Sequence, residues 1–531
     1  MQYDIAFGWS TPAAMTVKGT KEQWISSSSN RIHKLRTSTI LKKVVQDDLD
    51  IEMGKLERFL YKRRRQTEAA KEKIHSNVSE TSPMSVRNGL GIIAGTAIGG
   101  GFLALPSVTA PIGYGPTSLG LILIWIFLTL SAHAFIEAAG LAADIRSHRQ
   151  PTNGEKIDLN RGKSTISSII MEAFGKRWGI VAGVAFVCQM VAVMTIQIVK
   201  GASIISQISD MSYAVACFIP PILAASFAYF TEPEVVEGGN SALTCMMVGG
   251  FLLLCISTLS IGSNSLIVPA KSLAFSRNNW ASLLPNAKAT WSIPVLMKLL
   301  AWGEAMPLLT DRMIEATSIS DVTNPETIKI RAKAQRKART TTTLGSVIPL
   351  ILCLVWAAIS TILINPLTAS DPITYLLSLA APISVPVGLL SFGAIGTTLL
   401  GSFLAMGHFA SDIVSILTRG SVSKWTKYAK LLTVLIPCMC AYLGPGLYLP
   451  LLAFAGAYPT TLLYGLAPCL AAIVLRKRAH EEMIDDSKLT PNLLPGGMKS
   501  LAFLSFTSVG IVVSCTSMAF QSFINTYLSQ Q

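Results

Sequence analysis

The sequence predicts an all-α, polytopic membrane protein of about eleven transmembrane helices, built as two inverted five-helix repeats with discontinuous helices one and six. Three observations carry this. The chain has 531 residues, is 50% hydrophobic and only 14% charged, with a mean hydropathy of +0.49; a soluble chain carries roughly 25% charge. Eleven apolar segments follow one another, at about 88–110, 116–141, 178–205, 211–230, 241–263, 291–316, 343–364, 383–411, 429–445, 447–475 and 500–521, most of them reaching the ~20 residues that cross the hydrocarbon. Segments one and six, five spans apart, each contain a run that a membrane helix does not tolerate without a reason.

Residues 1–86 precede the first segment as a polar tail with no apolar run of the secretory type. Ser26–Ser29, Arg31, Lys34, Arg36, Lys42 and Lys43 occur within 23–46 without an acid, the composition of an organelle transit peptide; Asp4 and Glu22 count against that reading. Lys62-Arg63-Arg64-Arg65 lies in a charged, helix-prone stretch suited to anionic headgroups. A nucleic-acid patch is the competing reading and fits poorly beside so many spans. The transporter domain then runs over 87–521, and 522–531 is a short C-terminal tail.

The net charge of +14 is topological. With the N-terminus on the cytosol-like side, 37 of the 44 Lys and Arg fall on that side and three on the other, as the positive-inside rule requires. Adding or removing one early span scrambles the pattern. No nucleic-acid partner is implied.

In segment one, Gly95-Thr96-Ala97-Ile98-Gly99-Gly100-Gly101 precedes Pro106. Each interior glycine costs a helix roughly 1 kcal/mol against alanine. The backbone is therefore expected to open near mid-membrane, where bare peptide groups survive only if they line a cavity or are buried in protein. Gly95 and Gly99 also form a GxxxG, so close helix packing is the alternative. Segment six breaks at Trp302-Gly303-Glu304-Ala305-Met306-Pro307. Paired broken helices in opposite orientation point to an inverted repeat with a midplane site; two unrelated proline-containing helices are the plainer account.

Ionisable groups inside spans default to functional candidates. Glu304, at the break of segment six, is the first: it can donate or exchange a proton, or simply cap the second half-helix. Glu137 and His133 share a face of segment two, as His408 and Asp412 do in segment eight, each pair being i, i+4. Lys200, near the outer end of segment three, has the length to snorkel. Lys298 and Glu304 lie six residues apart, on different faces of a regular helix, unless unwinding joins them. Thr397, Thr398 and Ser402 offer hydroxyls for a sodium site or for helix bridging. Trp302 stacks on a substrate or packs on a neighbouring helix. The nine cysteines sit in apolar stretches without metal-ligand spacing. No phosphate loop, metalloprotease motif or nucleophile elbow is present, so neither an enzyme, a metal site nor a cofactor is expected.

GIIAGTAIGGGFLALP resembles the first helix of the tryptophan/tyrosine permease family, as does the end of segment two at Glu137. Arg336-Lys337-Ala338 with Leu344-Gly345-Ser346-Val347-Ile348-Pro349-Leu350 and Leu354-Val355-Trp356 resembles that family's segment seven. The likeness covers about 87–521. It implies eleven spans in a five-plus-five inverted repeat and proton-coupled uptake of an aromatic amino acid. Two positions depart from the family pattern: Gly303 stands where a histidine is common, four before the segment-six proline, and His408 where an acid is common, with Asp412 keeping the second acid. Plastid members of the family make a plastid envelope the expected membrane, with a plasma or other organelle membrane as the alternative.

The expected function is secondary active transport of an amino acid, by proton symport. Gly95, Thr96, Ala97, Gly99, Gly100 and Gly101 with Trp302, Gly303, Glu304 and Ala305 form the expected substrate site. Glu304, Glu137, His408 and Asp412 are the coupling candidates. A sodium-coupled or other neutral amino acid carrier is the alternative; a channel or a non-transporting sensor is a further one, for which no filter sequence is seen. The charge split sets a direct test of topology. On a background without native cysteines, single cysteines within 311–341 are expected to label only from the side that holds the N-terminus; labelling from the opposite side overturns the assignment.

Overall fold

The computed structural model describes residues 85–148, 165–263, 278–283, 292–313, 325–364, 371–417, 422–481 and 494–529. The chain divides into two units, Met1–Thr81 and Ser82–Gln531, and every described residue lies in the second. The proposed transit segment and the Lys62–Arg65 run lie outside the described residues.

Every regular element among the described residues is a helix or helical turn. Among the described residues nine helices are long and apolar enough to cross a membrane. A bent pair, Val86–Thr96 with Gly101–Ile112 at 45°, supplies segment one, and the shorter apolar stretch Tyr428–Tyr442 supplies segment nine. All eleven predicted positions are thus helical. Lengths reflect composition: segment two (Tyr114–His148) and segment three (Lys176–Ser209) are continuous and strongly apolar. Segment four divides into Tyr213–Ala216 and Ile219–Phe230, where Pro220 and Pro221 interrupt backbone donation.

The pairings of segments show the repeat. Segment one packs on seven and six on two; five packs on eight and ten on three; four packs on eight and nine on three. Each pair maps onto its partner when segments one to five are exchanged with six to ten. The two breaks cross reciprocally: the turn of segment one lies against Ile293–Leu299 of segment six, and the turn of segment six against Val86–Ala97 of segment one.

Segments five (Pro233–Ser263) and eight (Ala381–Leu417) meet backbone to backbone. A Cβ on Gly250 falls 2.6 Å from the Leu390 nitrogen, and one on Gly393 falls 2.6 Å from the Leu243 oxygen. Small residues allow this approach, in which dispersion and weak polar contacts replace the hydrophobic effect that lipid cannot supply. Segment ten is not one regular α-helix. Between Tyr448–Ala455 and Ala467–Glu481 it runs instead as a π-helix over Gly456–Leu466, with Pro459 inside it and Gly456 pressed on the Pro294 carbonyl.

Lys200 does not snorkel. Its Nζ lies 2.7 Å from both Asp371 carboxylate oxygens and 5.1 Å over the Tyr448 ring, and the residue is 2% exposed. Asp371 caps the short helix Pro372–Ser378 in the loop after segment seven, accepting from the Ile373 amide and the Thr374 hydroxyl. Burial works against its charged form, but the Lys200 ammonium and these hydrogen bonds outweigh it and hold the carboxyl below its ordinary range. The buried ammonium needs this carboxylate, so the pair ties segment three to the loop helix.

The glycine seam gives a packing test. Gly393→Leu forces an overpacked contact costing about 1–3 kcal/mol or more, read as a lower thermal midpoint of the detergent-purified protein. Gly401→Leu, on the same helix with nothing within 4 Å of its added Cβ, is expected to leave the midpoint unchanged.

Candidate functional site

The site grows out of the two breaks. In segment one the helix Val86–Ala97 ends as the Ile98 amide donates to the Ala94 carbonyl at 3.1 Å. Gly99 is extended, and a 3₁₀ turn over Gly100–Ala104 leads into Leu105–Ile112. Two contacts make this turn reproducible. The Trp356 indole N–H donates to the Phe102 carbonyl at 3.0 Å, with the Phe102 ring stacked on it; that carbonyl also accepts from the Leu105 amide within the turn, so the indole ties the turn to segment seven. A Cβ on Gly99 falls 2.7 Å from the Thr398 hydroxyl oxygen, so segment eight touches bare backbone at this point.

In segment six the helix Ile293–Leu299 runs out at Leu300, and the chain resumes through a 3₁₀ turn Gly303–Ala305 into Met306–Met313, with Pro307 in its first turn. This unwinding brings Lys298 round to Glu304: Nζ lies 2.8 Å from Oε1, and the Gln189 side-chain amide donates to the same oxygen at 2.7 Å. Lys298 is 9% and Glu304 23% exposed at the side chain. Two donors on one carboxylate oxygen, in a protein interior inside the membrane, make a tight polar knot.

Both breaks open on one small cavity, about 40 Å³, lined by Thr96, Gly99 and Gly101 of segment one, Lys298 and Glu304 of segment six, and Thr398 of segment eight; segment three closes it with Val193, Ile196 and Gln197. That volume admits water but not an amino acid, so a substrate of that size enters only with a displacement of these segments. The Thr96 and Thr398 hydroxyls donate to carbonyls of their own helices, at 2.7 and 2.8 Å, and turn their lone pairs to other partners.

Of the expected site residues, Thr96, Gly99, Gly101 and Glu304 therefore share this cavity. Gly100 opens the turn, and the side-chain surroundings of Gly100 and Ala97 lie outside the description. Gly95 is on an exposed face of the first half-helix, and Ala305 is buried. Trp302, 1% exposed, lines a second cavity of about 10 Å³ with Ser131 and Tyr464 and is not part of the first. The Tyr464 ring lies against the Gly303 backbone where any side chain on 303 would project; the departure at Gly303 makes room for that ring.

Glu137 is elsewhere, fully buried at the inner end of segment two and bridged by Arg476 of segment ten, whose Nε donates at 2.6 Å. His133 faces the Thr343 hydroxyl at 3.0 Å. Segment eight is helical through His408 and Asp412, but their side chains lie outside the described residues. Thr397 bonds the carbonyls of Gly393 and Ala394 and does not line the cavity. No group of three or more metal-ligating side chains occurs among the described residues. Gln189 and Gln197 do not belong to the expected site, which rests on ionisable groups and helix breaks. A primary amide inside an apolar span is also costly unless partnered, and with Val193 and Ile196 the two glutamines follow the i, i+4, i+7, i+8 spacing of one helix face.

Residues 83–303 match the Tryptophan/tyrosine permease family. A protein described as glutamine transporter 2 of Aliivibrio fischeri is 23% identical over 407 residues, 74% of this chain and 89% of the relative. The tyrosine-specific transport system 1 of Haemophilus influenzae is 26% identical over 162 residues, 30% of this chain and 36% of the relative, so the match spans about a third of that protein. A solved structure of a Na⁺-coupled sialic acid symporter, substrate-bound and outward-open, aligns over 81% of this chain and 94% of its own with 14% identity and a TM-score of 0.41.

Breaking a buried ion pair by removing one partner costs about 3–5 kcal/mol, while replacing both is near neutral. Lys298→Met is therefore expected to lower the thermal midpoint markedly, and Lys298→Met/Glu304→Gln to recover most of the loss. Additive losses in the double variant would show that the two side chains act independently.

Proposed function

We propose that this chain, whose residues 83–303 match the tryptophan/tyrosine permease family, is a secondary active amino acid transporter, an aromatic amino acid:proton symporter. The observation that carries this is the union of an open glycine turn with the Lys298–Glu304 pair in one cavity. A zwitterionic amino acid carries the complement of both. Its carboxylate suits the Gly99–Gly101 backbone donors at the positive end of the resumed helix, and the Lys298 ammonium beside them. Its ammonium suits Glu304. The internal pair is thus exchanged for two pairs to the substrate, which offsets the cost of separating buried charges.

Glu304 is the proposed coupling group. Neutral, it releases Lys298 and the substrate ammonium; ionised, it holds one or the other. Glu137 is the less favoured candidate, because Arg476 already bridges it. A sodium-coupled carrier for another neutral amino acid is the second reading. Thr398 in the cavity wall favours the ion, and the relative described as a glutamine transporter favours the substrate.

Uptake into proteoliposomes under imposed proton or sodium gradients separates the readings. Glu304→Gln keeps size and hydrogen bonding but cannot titrate. It is expected to abolish accumulation of labelled tyrosine or tryptophan driven by a proton gradient, while exchange at equal pH persists. Gradient-driven accumulation equal to that of the unaltered protein would make Glu304 structural and move the coupling elsewhere.

A further inference from the structure

Within the cavity wall one polar side chain has no task in the arrangement above. Gln197 is 2% exposed, lines the cavity, and its Oε1 is buried without a hydrogen-bond partner. Its neighbour two turns earlier, Gln189, is equally buried and its Oε1 is likewise unpartnered, but its amide N–H donates to Glu304 and it does not line the cavity. Gln197 also stands among apolar groups, with Val193 and Ile196 on its own helix and Leu299 and Leu452 opposite. A buried acceptor left without a donor destabilises the protein, so native chains retain one chiefly where a bound molecule or an ordered water completes it.

Resting on the transport reading above, we propose that Gln197 is a specificity-determining residue: it accepts a hydrogen bond from a donor at the end of the substrate's side chain. The apolar groups around it accommodate the body of that side chain, and the Lys298–Glu304 corner takes the charged head. The substrate class is therefore an amino acid carrying a phenol hydroxyl, an indole N–H or a primary amide, in preference to an isosteric side chain without a donor. The direction of the effect follows from desolvation. A site built to bond a donor rejects the analogue lacking it strongly, because the analogue leaves the buried acceptor unpaired, whereas an apolar pocket barely distinguishes the two.

The test is binding of labelled L-tyrosine against L-phenylalanine, and of L-glutamine against L-methionine, to the detergent-purified full chain. The unaltered protein is expected to favour the donor-bearing member of at least one pair by about tenfold or more. Gln197→Met, close in size and apolar, is expected to bring that ratio near one by weakening only the donor-bearing ligand. Gln197→Glu, which keeps an acceptor, is expected to preserve the preference even if overall affinity falls. The proposal is overturned if the unaltered protein discriminates within neither pair, or if Gln197→Met weakens both members equally, as it would if Gln197 held the common head group or only the fold. Should Gln197→Met fail to give a monodisperse protein, the first comparison and the Gln197→Glu ratio still decide. Failure of the transport reading shows separately, as absence of uptake of all four amino acids by proteoliposomes of the unaltered chain.

Discussion

Inside a membrane, a peptide group that leaves the helical ladder has no water to turn to, and the arrangement of this protein depends on how it meets that requirement. Segments one and six both leave the ladder, and both do so where other segments press in on them. Trp356 donates to the Phe102 carbonyl, Thr398 touches the Gly99 backbone, and the Tyr464 ring lies against Gly303. Remove these neighbours and the cheapest course for segment one is a straight helix with no open turn. The cavity is thus a property of several segments at once, although its floor is a run of glycines in one.

The same logic explains what could be read in advance. The positions of the apolar helices follow from hydropathy, and the breaks from glycine and proline, because both depend on local chemistry alone. The Gly99 turn and Glu304 were found this way. Trp356 stood in a recognisable run, yet nothing local says that its indole reaches a carbonyl 254 positions away in sequence. Lys298 was held apart from Glu304 by regular helical geometry, and only the length of the unwound stretch decides that they meet. Lys200 was expected to reach for the interface because Asp371 lay in a loop with no visible tie to segment three. The π-helical stretch of segment ten begins where Gly456 packs on the Pro294 carbonyl of segment six, and a close contact between segments has no signature in either one.

Polar residues within the spans fall into two kinds. Glu137 with Arg476, and Lys200 with Asp371, each join elements near one end of the bundle. Their geometry is bidentate or close to it, and in each at least one partner is deeply buried, which suits fastening more than exchange. Lys298, Glu304, Gln189 and Gln197 converge instead on the breaks, where backbone can move and the cavity lies. The division arises from where unwound backbone is available and not from the residue types, since both groups contain a lysine and a glutamate or aspartate.

In the proposed cycle the Lys298–Glu304 pair contributes no net charge. Lysine ammonium and carboxylate cancel, and a zwitterion brought to them adds nothing. Whatever cation accompanies the substrate is then the sole net charge that crosses, and the membrane voltage acts on it in full. Each 100 mV contributes about 2.3 kcal/mol per elementary charge, equivalent to a concentration ratio of roughly fifty. Voltage alone, with no chemical gradient of the ion, is enough to concentrate the substrate.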